Sequence, residues 1–94
     1  MYRRETARLH AITRSTAFRL IPTDHAEERM VEWDIARFEV ERVLKAGPVV
    51  MIDREPDGTE TWRIAGHDKK GRIEAVIEPL PPSMVVLITV IRVR

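Results

Sequence analysis

Several residue types are missing from this chain of 94 amino acids, and each absence removes a class of function. There is no cysteine, which excludes disulfides, zinc sites built on thiolates and a cysteine nucleophile. Asparagine and glutamine, the side chains that read adenine with two hydrogen bonds, are also missing, so the chain is poorly equipped to recognise bases in a duplex. No glycine-rich phosphate loop occurs around the four glycines. The remaining chemistry depends on histidine, arginine, carboxylates and hydroxyls.

Long apolar runs are missing as well. The longest one begins at Met84 and reaches Ile91 with only Thr89 interrupting it, which is far short of the ~20 residues that a membrane-spanning helix needs. The first ten residues lack the apolar stretch of a signal peptide. We therefore expect a cytoplasmic protein without a membrane partner.

The net charge is only +1, so no global electrostatic field attracts nucleic acid or a membrane surface. The charges are nevertheless unevenly distributed. Residues 1–22 contain five arginines and one acid, whereas residues 23–44 contain seven acids and three arginines. Thirteen of the sixteen cations are arginine, whose planar fork suits phosphate or carboxylate, although a solvated charged face is the commoner reason for such a composition.

The first half of the chain has helical periodicity. Its apolar spacing predicts a helix from about Arg3 to Thr16, a second from about Asp24 to Trp33, and a third over Ile35 to Ala46 that Gly47-Pro48 terminates. Thr23 and Asp24 are the two candidates for the N-cap of the second helix, and Asp24 has the capping-box spacing to Glu27.

After Gly47 the period changes to that of strands separated by turns. We expect four of them, at Val49 to Asp53, Thr59 to Gly66, Arg72 to Glu78 and Met84 to Val93, with the last one central and buried on both faces. The sequence therefore predicts one α+β domain over residues 1–94, in which helices pack on one face of a four-stranded antiparallel sheet. Its parts are an N-terminal helix (1–17), a short extended segment with two helices (18–47) and a β-meander (48–94).

The start of the second predicted helix carries the first candidate site. His25 and Arg29 lie four residues apart and so project from one face, where the helix N-terminus, an imidazole and a guanidinium all favour a phosphate. Histidine adds general acid or base catalysis near neutral pH. In the alternative interpretation Arg29 pairs with Glu28 or Glu32, and His25 caps or packs locally.

Two further candidates lie on predicted strands. Arg63 sits between Trp62 and Ile64 and therefore points to the opposite face from both. Thr89 is the only hydroxyl of the last strand, either as a polar contact or simply as a good strand former. His67, at a strand end, fits a solvated turn residue. The three histidines have no metal-ligand spacing, so we expect neither a metal nor a cofactor.

Several segments, taken in order, resemble a bacterial family of domains of unknown function, whose members begin with a His-Ala-x-x-Arg-Met helix and end in a Val-Ile-Thr strand. The segments are Thr23-Asp24-His25-Ala26-Glu27-Glu28-Arg29-Met30, Ile35, Val43 to Gly47, Trp62 to Gly66, Gly71-Arg72 and Leu87 to Val90. Members usually have Arg-Gly where this chain has Trp33-Asp34. An arginine that could contact RNA is thus lost, while Asp34 can still adopt the left-handed turn.

That family is similar to the RelE and BrnT ribonuclease toxins of toxin–antitoxin pairs. The resemblance implies a RelE-like fold and cleavage of messenger RNA by general acid–base chemistry, without a metal. It implies RNA or the ribosome and an antitoxin protein as partners. His25 would transfer the proton, Arg29 and Arg63 would bind phosphate, and Thr89 would make a polar contact on the sheet. The alternative is a non-catalytic RelE-like module that binds a protein. Nothing in the sequence indicates an oligomeric state.

Overall fold

A computed structural model describes residues 2–93, so Met1 and Arg94 of the expected domain lie outside the described residues. This part of the chain forms three helices and five strands. In chain order the elements are α1 (Arg3–Arg14), β1 (Arg19–Pro22), α2 (Asp24–Trp33), α3 (Arg37–Ala46), β2 (Val49–Arg54), β3 (Glu60–Asp68), β4 (Gly71–Leu80) and β5 (Met84–Arg92).

The predicted α+β class and the antiparallel meander after Gly47 are confirmed, but the number of strands and the purely antiparallel sheet were wrong. The sheet has the order β1-β5-β4-β3-β2 and is mixed, because β1 pairs in parallel with β5. The short segment that was expected only to be extended is therefore an edge strand. It joins the free side of β5, with Leu20 opposite Val85.

The helix boundaries follow the sequence with small differences. α2 spans Asp24–Trp33 as predicted, but its N-cap is Thr23 and not Asp24, because the Thr23 hydroxyl accepts a hydrogen bond from the Ala26 N–H at 3.1 Å. α1 ends at Arg14, two residues before the predicted end. α3 begins at Arg37, and the Glu39 carboxylate accepts from the Ala36 N–H at 2.9 Å.

The core lies between the sheet and the three helices. Alternation along β3 and β4 directs Trp62, Ile64, Ile73 and Ile77 inward, and all four are at most 1 % exposed. Val43 and Leu44 from α3 are buried against them as expected. Met30 and Trp33, which the sequence also assigned to the core, pack against it while remaining partly exposed.

β5 is interior to the sheet, between β1 and β4, as predicted. The prediction that β5 is buried on both faces was wrong, however. Val85 and Leu87 point into the core and are fully buried, whereas Met84 and Val86 point to the helix-free face and are only partly buried. The nearly unbroken apolar run of β5 therefore supplies one buried face and one half-exposed face.

The tight turns also follow the sequence. A Pro56-Asp57-Gly58 turn, with residue types typical of turns, joins β2 to β3, and Gly58 has a φ of 91°, a conformation that side-chain-bearing residues rarely adopt. Between β3 and β4 the strands extend to Asp68 and Gly71, so that only Lys69 and Lys70 form the loop.

Leu44 provides a direct test of this core. The residue is fully buried under the sheet, and we expect Leu44→Ala to lower the free energy of unfolding by about 3 kcal/mol through lost burial and the cavity that remains. Urea denaturation monitored by tryptophan fluorescence measures this change. A midpoint that barely moves would show that α3 presents a different face to the sheet.

Candidate functional site

The first turn of α2 is fixed to β5 through one threonine. The backbone N–H of Thr23 donates to the Leu87 carbonyl at 3.0 Å, and its hydroxyl lies 3.1 Å from the Leu87 carbonyl and 3.0 Å from the Ile88 carbonyl. Since β1 ends opposite Leu87, these bonds continue the edge of the sheet where the strand stops. Ile88, which precedes Thr89, is thereby bonded to Thr23, which lies two residues before His25.

The far end of α2 is fixed to β5 by a buried ion pair. Arg92 donates to both carboxylate oxygens of Asp68 at 2.9 and 2.6 Å, and it also donates to the Trp33 carbonyl at 3.2 Å. The Asp68 side chain is 0 % exposed. The hydrogen bonds from Arg92 outweigh the cost of burial and hold the pKa of the Asp68 carboxyl at about 2, below its ordinary 3.8. Both ends of α2 are therefore held against the same strand.

His25 and Arg29 lie on the flank of α2 that faces away from α3. The core stripe of α2 contains Ala26 and Met30, and the flank with Glu27 lines a groove shared with α3. At 100° per residue, His25 and Arg29 fall on the opposite side of that stripe. His25 is exposed and makes no hydrogen bond or ion pair with any described residue. Its imidazole is thus free for a ligand.

Arg29 is already paired. One terminal nitrogen lies 2.6 Å from a carboxylate oxygen of Glu32, one turn further along α2, and both side chains are substantially exposed. The Nε of Arg29 is buried without a hydrogen-bond partner among the described residues. The pairing matches the alternative interpretation of Arg29 as a helix-surface ion pair.

Arg63 and Thr89 share one row across the helix-free face of the sheet. Val76 of β4 is paired with Arg63 on one side and with Thr89 on the other. Two strand spacings separate them, which is about 10 Å between Cα atoms. Arg63 does point away from Trp62 and Ile64 as predicted, and it lies 3.5 Å from Glu74. The Thr89 hydroxyl has a long contact of 3.4 Å to the Val90 carbonyl.

The four predicted site residues therefore form two pairs. Arg63 on β3 and Thr89 on β5 lie in one row across β4, while His25 and Arg29 lie on one face of α2, whose first turn is bonded to Ile88, the residue before Thr89. No hydrogen bond or ion pair within residues 2–93 joins any two of the four, and none of the five cavities described is lined by them. The structure thus links each pair internally but does not gather all four around one pocket.

Sequence reasoning missed two groups that shape this region. Asp68 lies beyond the predicted end of its strand at Gly66, although it has the same parity as Trp62 and Ile64 and so points inward; counting by two would have found it. Its partner Arg92 had no assigned role. His67 is exposed as expected, but it lines a cavity with Arg42 and Arg72 that the sequence did not reveal.

The described residues contain neither a metal-binding cluster nor a membrane-spanning helix. No three histidine, aspartate or glutamate side chains come together there to hold a metal ion. No helix in that part of the chain has the length and apolar character to cross a membrane.

The fold and the α2–β5 arrangement define a small α+β domain in which a helix extends the edge of a mixed sheet. Residues 23–92, about three quarters of the chain, match the family model described as Domain of unknown function (DUF4258). The chain belongs to that family. No curated protein and no solved structure matches it significantly.

Proposed function

We propose that the chain is the toxin of a toxin–antitoxin pair, a RelE-like endoribonuclease that cleaves messenger RNA without a metal. The observation that carries this proposal is the 3.0 Å hydrogen bond from the Thr23 hydroxyl to the Ile88 carbonyl. This bond holds the first turn of α2, which carries His25, beside the strand that carries Thr89. The His25 imidazole is exposed and free, and Arg63 lies in the same row of the sheet as Thr89. An acid–base group and a cation are what RNA cleavage requires.

In the proposed reaction the 2′-hydroxyl of the RNA attacks the adjacent phosphorus, and the bond to the 5′-oxygen breaks. His25 transfers a proton to or from these oxygens, since its imidazole is exposed and has no competing partner. Arg29 and Arg63 neutralise charge on the phosphate oxygens as it develops. Thr89 offers a hydroxyl to the sugar or phosphate on the sheet face.

The existing ion pairs of the two arginines oppose this reaction only weakly. The Arg29 and Glu32 side chains are 36 % and 51 % exposed, and ion pairs in such positions contribute about 0 to 1 kcal/mol. A phosphodiester carries one negative charge, as a carboxylate does, and it offers the guanidinium the same two-oxygen geometry, so it can replace Glu32 in this weak, exposed pair. The Arg63 pair with Glu74 is longer still, at 3.5 Å.

The proposed partners follow from this activity. Messenger RNA, free or on the ribosome, is the substrate, and an antitoxin protein keeps the cell alive by covering the site. The working place of such a toxin is the cytoplasm, where messenger RNA is translated. The near-neutral net charge limits the non-specific attraction of the protein to RNA. We therefore propose that the protein meets its substrate as RNA held on ribosomes.

The test is induced expression in a bacterial host, followed by incubation of the purified protein with messenger RNA, with and without ribosomes. Growth arrest and new RNA ends bearing a 2′,3′-cyclic phosphate are the expected results, and EDTA should leave the cleavage of free messenger RNA unchanged. Normal growth with intact RNA under both conditions overturns the proposal.

The second candidate is a non-catalytic RelE-like module that binds a protein partner. One observation favours it specifically, namely that both candidate phosphate ligands, Arg29 and Arg63, already pair with carboxylates of the same chain. Intact RNA in the experiment above, together with a stable complex between this chain and the product of the adjacent gene, would select this candidate.

A further inference from the structure

A separate cavity of about 380 Å³ lies at the opposite edge of the sheet from β1, where α3 ends and β2 begins. β2 starts opposite Ile64, so beyond that point β3 is paired only with β4 and has no strand on its other side. The last turn of α3 covers part of this gap, and Gly66 lets it approach closely, because a Cβ there would lie 2.6 Å from a methyl group of Val43. The floor is apolar and consists of Val43, Ala46 and Pro48 together with Ala65.

The rim of this cavity is cationic. Arg42, Arg72 and His67 line it, and none of the lining residues is acidic. The Arg42 guanidinium lies 5.6 Å from the centre of the exposed Phe38 ring, a contact that leaves it accessible to an anion. Arg72 reaches Glu74 at 3.2 Å, in a pair that is half-exposed on the arginine side and therefore weak. The carbonyl of Gly47 at the end of α3 already lies 2.9 Å from His10 Nε2, so it repels an anion less than a free helix end would.

A backbone donor completes the rim. The Ala65 N–H donates to the Pro48 carbonyl at 3.1 Å, on the side of β3 where β2 would continue. Because N–H groups alternate sides along a strand, the N–H of His67 faces the same side, beyond the start of β2. The cavity thus combines two arginines and an edge N–H with a flat apolar floor.

We propose that this cavity binds a phosphate ester of the nucleotide class, with the phosphate between Arg42, Arg72 and the His67 N–H and the base on the floor formed by Val43 and Pro48. Arginine forks and backbone N–H groups are the usual ligands of phosphate. A volume of several hundred Å³ with an apolar floor is typical of a small-molecule site. The inference does not depend on the proposed ribonuclease activity. The phosphate comes from a free nucleotide or from an RNA chain, and the experiment separates these sources.

The test is a titration of the ¹⁵N-labelled full chain with AMP, adenosine, inorganic phosphate and a short oligoribonucleotide. We expect AMP to shift the amide signals of Ala46 and Gly47 and of residues 65–67, and to bind at least tenfold more tightly than adenosine or phosphate alone. Comparable binding of AMP identifies a free nucleotide as the source, and much tighter binding of the oligonucleotide at the same signals identifies RNA. No shift at these signals with either ligand overturns the proposal.

Single substitutions test whether each of the two arginines binds the phosphate. Arg42→Ala and Arg72→Ala should each weaken AMP binding about tenfold, the usual effect of losing one charged hydrogen bond. Arg14→Ala removes an equally exposed arginine from α1 and should have no effect. An equal loss with Arg14→Ala would show mere charge attraction and overturn the site.

A second pair of variants separates the base from the phosphate and this site from the ribonuclease. Ala46→Leu extends into the cavity and should abolish AMP binding while inorganic phosphate still binds; unchanged AMP binding contradicts the assignment of the floor. His25→Ala should leave AMP binding intact. Failure of the ribonuclease and failure of this site are therefore observed independently. Circular dichroism confirms that each variant is folded.

Discussion

Asp68→Asn is expected to lower the free energy of unfolding by roughly 3 to 5 kcal/mol, because it leaves a largely buried guanidinium without its counter-charge. Asp68 is 0 % exposed and Arg92 only 12 %, so water cannot replace the lost carboxylate. The same arginine donates to the Trp33 carbonyl, which means that the end of α2 loosens as well. Urea denaturation at pH 7 measures the change, and a loss below about 1 kcal/mol would contradict this account.

The matched control is Asp34→Asn. Asp34 pairs with Lys70, but the two side chains are 75 % and 46 % exposed, so the midpoint of urea denaturation should hardly move. Its backbone has a φ of 55°, as the sequence suggested for this position, and asparagine tolerates that conformation well. The two substitutions remove the same carboxylate charge from an ion pair, and the pairs differ most in burial.

The pH dependence of stability gives an independent check of the Asp68 pair. The folded-state pKa of Asp68 is about 2 and its ordinary value is 3.8, so the folded protein binds this proton less readily than the unfolded chain does. The corresponding stability, about 2 kcal/mol, is fully present above pH 4 and is lost as the pH falls from 4 towards 2. Asp68→Asn should lack this part of the acid transition.

β1 shows where local sequence patterns stop being sufficient. Arg19–Pro22 has four residues, of which only Leu20 is fully buried, so it offers almost no alternation to recognise. Its role as a strand depends on a partner more than sixty residues away, since Arg19 lies opposite Met84. The strands of the meander, by contrast, have nine or ten residues at β3, β4 and β5, and local turns fix their pairing.

The choice of N-cap for α2 has the same explanation. Thr23 and Asp24 are both good N-caps by residue type. Thr23 is selected because its hydroxyl lies within hydrogen-bond distance of the Leu87 and Ile88 carbonyls of β5, which is a tertiary contact. The helix itself was predictable from spacing, whereas the residue at which it starts was fixed by the sheet.

The faces on which the candidate residues lie were predictable, but their partners were not. The sequence placed His25 and Arg29 on one helix face and Arg63 opposite Trp62, and the structure agrees with both placements. The sequence could not decide whether Glu28 or Glu32 pairs with Arg29. On an exposed helix face the choice depends on side-chain rotamers as well as on the i, i+3 spacing. Whether these residues act on RNA stays a prediction.

The substitution His25→Ala tests whether His25 acts on RNA. If His25 transfers a proton during RNA cleavage, the variant should cleave RNA about 10² to 10⁴ times more slowly, the usual contribution of a positioned acid or base. Cells expressing it should grow normally. Because His25 is exposed and makes no bond to any described residue, the melting temperature should hardly change. A variant that unfolds instead would show that His25 is a structural residue.

Arg29 distinguishes phosphate binding from mere positive charge at the same site. Arg29→Ala should lose most of the RNA cleavage, because it removes a charge-assisted contact to the phosphate. Arg29→Lys should restore only part of it, since an ammonium group cannot make the two parallel hydrogen bonds of the guanidinium fork. Glu32→Gln frees Arg29 from its 2.6 Å partner and should leave activity equal or higher. Full activity in Arg29→Ala would remove Arg29 from the mechanism, and a drop in Glu32→Gln would show that the ion pair orients the guanidinium rather than competing with RNA.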